Sequence, residues 1–254
     1  MRLFPFSFWK NNAPPFDPGT LNPTTWYRTN YTGTPWVPTP GGGSSGTNGN
    51  LTAMAGLPAL VGPALNGLTP GSFAGVESMA NTATSSAVLL TPMQTTNMAT
   101  AIVLFEKGAS AAPAADFWLD AQVLVDDLGN WGMGISSSGF EVAGYSFGVK
   151  HPSGWAAIAN GEWGMGVFQF DGTLAGGRIT GRLYKASGQT ALTCSPLANY
   201  IAMGTRLQVG RNYNGSAFAV ADIAEVLTFD TLLSLANLNN VRNYMNTRYG
   251  LTLA

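Results

Sequence analysis

The chain has 254 residues, 45% of them hydrophobic and only 10% charged, and its 12 basic and 13 acidic side chains leave a formal net charge of -1. Soluble domains usually carry about 25% charged residues; so thin a charge offers no Lys/Arg stripe to neutralise phosphates or lie on an anionic membrane, which argues against nucleic-acid and membrane partners. Cys194 and His151 are the single cysteine and the single histidine, so an intrachain disulfide and a zinc site built from such ligands are excluded.

At the N-terminus, Phe4, Phe6, Phe8 and Trp9 are interrupted by Pro5 and Ser7, then followed by NNAPPFDPG, which cannot continue a helix or a central strand. The apolar run is too short and broken for a secretory signal, and no stretch approaches the roughly 20 apolar residues of a membrane-spanning helix. The chain is therefore expected to be made in a cytoplasm and to leave it by lysis. Residues 1–20 read as an extended arm with two destinations. It folds back over its own domain, or it uses Phe4, Phe6, Phe8 and Trp9 to dock on another subunit of an oligomer or lattice.

Residues 21–254 read as one domain, since all-β sandwiches of this size commonly form a single unit. Within it, residues 32–50 (TGTPWVPTPGGGSSGTNGN) form a Gly/Pro/Ser-rich surface loop carrying Trp36. From about residue 73 the pattern becomes short strands separated by turn residues. ATAIVLFE is a β-branched apolar run, and DFWLDAQVLVDD sets Phe117, Leu119, Ala121, Val123 and Val125 at period two. Turn signals recur at Gly129-Asn130, Asn160-Gly161, Asp171-Gly172 and Asn214-Gly215. One helix is expected near 235–248, where Leu235, Leu238, Val241 and Met245 recur at helical steps between Ser234 as N-cap and Gly250 as C-terminal cap. A dozen strands followed by a single helix predict an all-β, two-sheet antiparallel sandwich with a helix packed on it.

The run VGRNYNGSAFAVADIAEVLTFDTLLSLANLNNVRNYMNTRYGL resembles the closing segment of concanavalin A-like, laminin G-like jelly-roll domains of phage and bacterial proteins. The matching features are Gly210 and Arg211, the Asn214 to Ser216 turn, the strand Asp222 to Val226, Phe229 and Asp230, Leu233 and Ser234, and the helix end Arg248 to Gly250. SFAGVESMA, at 72–80, resembles the family's early strand, with Ala74 and Val76 in place of polar residues. The resemblance spans about 72–251 and implies a lectin-type jelly roll, a fold that hosts lectins, enzymes and structural modules alike.

Candidate chemistry is sparse. Glycoside hydrolysis needs two carboxylates about 5–9.5 Å apart across a cleft. Asp222 with Glu225 and Asp126 with Asp127 lack a two-residue step, so each pair is expected on opposite faces. His151 lies in KHPSGW, read as turn-like, and GISSSG lacks the nucleophile-elbow spacing. The Gly-rich 41–49 lacks the Gly-Lys-Ser/Thr of a phosphate loop. No cofactor is implied; calcium is the one metal the residue types leave open, with Asp120, Asp126, Asp127 and Asp171 as oxygen donors. For sugar contacts the candidates are Trp155 and Tyr213 with Asn212 and Asn214, and beyond them Trp131 and Tyr145; core or edge packing is the rival role for each.

The functional expectation is a non-catalytic structural or assembly protein of a phage particle, such as a decoration or fibre-associated protein, partnered by other virion proteins and by surface glycans. The alternative is a carbohydrate-binding, lectin-like module of a bacterial protein, placed outside the cell or at its surface.

Overall fold

The computed structural model describes residues 16–28, 51–55, 59–60, 65–74, 78–81, 98–109, 122–127, 131–146, 149–173, 178–194, 207–210 and 218–254. The proposed docking residues of the N-terminal arm and the loop at 32–50 lie outside them. The strands, in chain order, are β1 Thr25–Arg28, β2 Leu51–Ala55, β3 Ala59–Leu60, β4 Gly71–Ala74, β5 Ser78–Asn81, β6 Met98–Lys107, β7 Gln122–Asp127, β8 Trp131–Ser136, β9 Gly139–Ser146, β10 Val149–Pro152, β11 Trp163–Asp171, β12 Arg178–Lys185, β13 Gly188–Thr193, β14 Leu207–Val209 and β15 Val220–Phe229. One helix, α1 Leu235–Tyr249, follows, and a 3-10 turn, Pro18–Leu21, precedes β1.

The strands form two antiparallel sheets, so the sandwich expected from the turn-punctuated pattern is the fold. The eight-stranded sheet runs β13-β12-β11-β6-β15-β4-β3, with β1 also on β15; the seven-stranded sheet runs β10-β9-β8-β7-β14-β5-β2. The segment 72–80, read from sequence as one early strand, is two: β4 pairs with β15 in one sheet and β5 with β14 in the other. The chain changes sheet there, which alternation of side chains alone does not announce. His151, read as part of a turn, is a buried residue of β10, paired opposite Gly144 of β9.

Between the sheets lies an apolar core. Phe105 stacks on Phe140 with centroids 5.7 Å apart, and Phe168 on Trp131 at 4.6 Å. Gly164 and Gly166 of the second Trp-Gly-Met-Gly run belong to this packing: a Cβ on Gly166 would lie 2.5 Å from Phe140 Cε2. The absent side chain lets the aromatic ring of the facing sheet settle against the backbone.

A second apolar layer covers the outer face of the eight-stranded sheet. Trp26, Leu104, Met165, Tyr184 and Leu227 from the strands meet Leu238, Val241, Met245 and Tyr249 from α1. An isolated helix of 15 residues is marginal in water; burying those four side chains at roughly 1.5–3 kcal/mol each fixes it on the sheet. Its ends are those read from sequence. Ser234 Oγ accepts from Asn237 N at 3.2 Å, and Gly250 closes the helix with φ 68°. Phe16 and Leu21 also pack on this layer, so the described part of the leading segment lies against the domain.

Candidate functional site

The outer layer is where polar chemistry collects. β15 changes neighbour along its length: Val220 to Ile223 pair with β4, whereas Glu225 to Thr228 pair with β1. At that junction the ladder to β6 slips between Ile223 and Glu225. A bulge of this kind adds a residue and re-aims the side chains beyond it. Ala221 and Ile223 contribute to the core between the sheets, and Ala224 to the outer layer, which puts Asp222 on the outer face. Glu225 points to the same outer face, where it meets Trp26 and Tyr249. The sequence expectation that Asp222 and Glu225 face opposite ways is therefore corrected, and the bulge is the reason.

Glu225 is fully buried. Its Oε1 accepts from Trp26 Nε1 at 2.5 Å, and its Oε2 accepts from the Tyr249 hydroxyl at 2.6 Å. Burial raises its pKa from 4.5 to about 7, against the opposing pull of the Tyr249 and Trp26 hydrogen bonds and the Arg248 and Arg28 charges. Both aromatic partners carry an arginine. Arg28 Cζ stands 4.8 Å from the Trp26 ring centroid, and Arg248 Cζ 5.5 Å from that of Tyr249. Arg28 is also the residue directly opposite Glu225 in the β1–β15 register. One buried carboxylate thus orients two rings, and each ring seats a guanidinium.

The two arginines line an open cleft of about 610 Å³ at the edge of this layer. Among the described residues its remaining walls are Phe16 and Asp17 from the leading segment, Asn66 and Leu68 from a short turn, and Asn243, Tyr244 and Thr247 from α1. Each wall is fixed locally. Asp17 Oδ1 accepts from Gly19 N at 2.9 Å and caps the 3-10 turn. Asn66, held at φ 48°, donates from Nδ2 to the Arg248 carbonyl at 3.0 Å and so ties the turn to the helix end. Tyr244 meets Trp26 edge to face at 6.2 Å. The arrangement offers aromatic surface with guanidinium, amide, hydroxyl and carboxylate groups around one concave space, the general make-up of small-ligand sites.

Of the sugar-contact residues read from sequence, Trp155 is half-buried in the segment beside the Phe140–Ala156 bridge, away from this cleft's lining. Asn212, Tyr213 and Asn214 lie outside the described residues. Trp131 is fully buried between the sheets and offers no platform. Asp171, one calcium candidate, spends its Oδ1 on the backbone N and Oγ1 of Thr173, at 3.0 and 2.6 Å, as a turn former. Among the described residues no group of three or more His, Cys, Asp or Glu stands together as a metal cluster. Asp222 and Glu106 are opposed across β15 and β6, and burial raises the pKa of each. The cleft itself was missed from sequence, because its walls come from four separated segments that share no motif.

No known protein family matches the chain in sequence, and no curated protein does. The fold has solved counterparts. The binding domain of botulinum neurotoxin DC, in complex with SialylT, superposes with a TM-score of 0.57 at 10% identity, over 87% of this chain and 51% of that one. Botulinum neurotoxin type C, whose cell entry depends on two ganglioside molecules, gives 0.58 at 10% identity over 86% and 50%. The chain thus spans about half the length of these toxin chains. Domain 4 of AbnA, an extracellular arabinanase from Geobacillus stearothermophilus, in complex with arabinotriose, gives 0.55 at 10% identity over 87% of this chain and 98% of that domain. These likenesses establish the fold, a two-sheet β-sandwich.

Proposed function

We propose that this chain is a non-catalytic, lectin-like module that binds carbohydrate in the cleft beside α1. The observation that carries the reading is the cleft: about 610 Å³, open, walled by Tyr244 and Phe16 and by the polar ends of Arg28, Arg248, Asn66 and Asn243. Sugars are bound by such mixtures of ring faces and hydrogen-bonding groups. Further support comes from the arabinanase domain, which holds a trisaccharide and is matched over nearly its whole length. The toxins add less, since half of each toxin chain has no counterpart here.

Binding without turnover follows from the carboxylates. Hydrolysis needs an acid and a second carboxylate across the scissile bond, whereas among the described residues Asp17 is the one carboxylate lining the cleft and already serves as a cap. Glu225, with its pKa near neutrality, is sealed behind Trp26 and Tyr249. The test is a glycan array that includes arabinotriose, run beside an assay for released reducing sugar. Selective binding with no release is expected, and it should survive EDTA because no metal enters the reading. A blank array, or sugar release, defeats it.

The setting is a separate proposal, carried by sequence alone. Sparse charge and four large aromatics at the N-terminus suit a phage particle, with Phe4, Phe6, Phe8 and Trp9 docking on another virion protein. Deleting residues 2–15 should then leave a folded protein that binds glycan and no longer enters its assembly. A truncated protein that loses tens of degrees of thermal stability as an isolated monomer overturns the docking role.

A further inference from the structure

We propose that the cleft selects acidic sugars, by holding the carboxylate of a uronic or related sugar acid between Arg28 and Arg248. This deepens the reading of the chain as a glycan-binding module and rests on it. In a chain with 12 basic residues out of 254, two arginines at one cleft are a concentration of charge. Both are seated rather than free: the Arg28 and Arg248 guanidinium groups lie over rings that Glu225 fixes through hydrogen bonds. A guanidinium stacked on a ring keeps its planar fork of donors presented at its rim, with less ordering left to lose when an anion arrives.

The charges of both arginines also act on the Glu225 carboxyl behind the rings, which helps to hold them at the cleft. The Arg248 Nε–H is buried with no hydrogen-bond partner, a position that costs free energy until an acceptor reaches it. A neutral wall would have served a neutral sugar. The charge balance also sets the size of the anion: Asp17 stands in the same wall, which disfavours a doubly charged phosphate against a singly charged carboxylate. Asn66, Asn243 and Thr247 then remain for sugar hydroxyls, and Tyr244 and Phe16 for a ring face.

The experiment is calorimetric titration of the full chain with a trigalacturonate, the matching neutral galactotriose, and a sulfated galactotriose. Wild type, Arg28→Gln, Arg248→Gln and Arg248→Lys are compared, with thermal unfolding as the folding control. A charged hydrogen bond is worth enough that losing one lowers affinity about tenfold or more. The proposal predicts that wild type prefers the uronate to the neutral sugar by about that factor. Each Gln variant should lose the preference, its uronate affinity falling further than its neutral-sugar affinity, and Arg248→Lys should keep part of it. Arg28→Gln decides the matter if Arg248→Gln fails to fold.

Equal binding of acidic and neutral sugars, or a uronate affinity indifferent to both arginines, overturns the proposal while leaving the module reading intact. Preference for the sulfated sugar over the uronate also overturns it. If no saccharide binds, charged or neutral, the module reading fails as well.

Discussion

The two faces of the eight-stranded sheet are packed in different ways. Its inner face meets the other sheet through rings and aliphatic groups, Phe105 on Phe140 and Phe168 on Trp131, with glycines making room. Its outer face meets α1 through a layer that also encloses a carboxylate, an indole N–H and a phenol in mutual hydrogen bonds. A buried carboxylate is no economical way to fix a helix on a sheet, since apolar replacements of buried charged groups are often neutral or stabilising. The contrast teaches that the inner face sets the shape, whereas the outer face spends stability on orientation. What Glu225 orients is Trp26 and Tyr249, and through them the arginines of the cleft.

The largest effect is expected from the inner face. Phe140→Ala should cost about 3–5 kcal/mol, by removing a ring that stacks on Phe105 and fills the space over Gly166. Urea unfolding would show the loss, and the folded fraction should keep its glycan affinity. A matching loss of affinity in the folded protein would mean that the two faces are not separable.

Glu225→Ala comes next, at about 2–4 kcal/mol, because it strands the Trp26 N–H and the Tyr249 hydroxyl in a dry layer. Here affinity should fall together with stability, since the rings that seat the arginines lose their anchor. Calorimetric binding by the folded variant at wild-type strength would deny Glu225 its positioning role.

The same residue predicts a pH dependence of stability. Its folded pKa, about 7, lies above its ordinary 4.5, so between those values the folded protein holds a proton that the unfolded chain has released. Stability should be highest below about 4.5 on this account and fall as pH rises toward 7. Glu106 and Asp222, also raised, add slope of the same sign. Denaturation midpoints measured across that window should decline in wild type and decline less in Glu225→Gln. Identical slopes would show that Glu225 is not the titrating group.

The smallest effect is expected at the helix end away from the cleft. Ser234→Ala removes the cap on Asn237 N and should cost about 1 kcal/mol, with no change in binding. A change in affinity there would show that the whole helix, rather than its Tyr244 to Arg248 end, shapes the site.

How much of this was legible in the sequence depended on how local the cause was. The helix was readable to its caps, because Ser234, the recurring apolar residues and Gly250 each act on backbone or side chains within about a turn of their own position. The sandwich was readable from period-two runs and turn residues. The bulge was not: ADIAEV contains no Gly or Pro to mark it, and its cause is the exchange of β4 for β1 as neighbour, a non-local event. Trp131 and Trp163 make the same point. Both open a Trp-Gly-Met-Gly run, yet Trp131 is buried between the sheets while Trp163 packs against the outer layer. Identical tetrapeptides carry no record of which face their strand turns inward. The cleft was illegible for the same reason, since Arg28, Asn66 and Arg248 meet only through tertiary packing.

The most direct measurement is calorimetric titration of wild type and Tyr244→Ala with whichever saccharide the array selects. Tyr244 lines the cleft and meets Trp26 edge to face, and it lies outside the Glu225 hydrogen bonds. The account predicts an affinity lower by about tenfold or more, as for an aromatic contact at the centre of a binding site, with the unfolding midpoint shifted by only a few degrees. Undiminished binding by a folded Tyr244→Ala protein would place the sugar elsewhere and contradict the central claim.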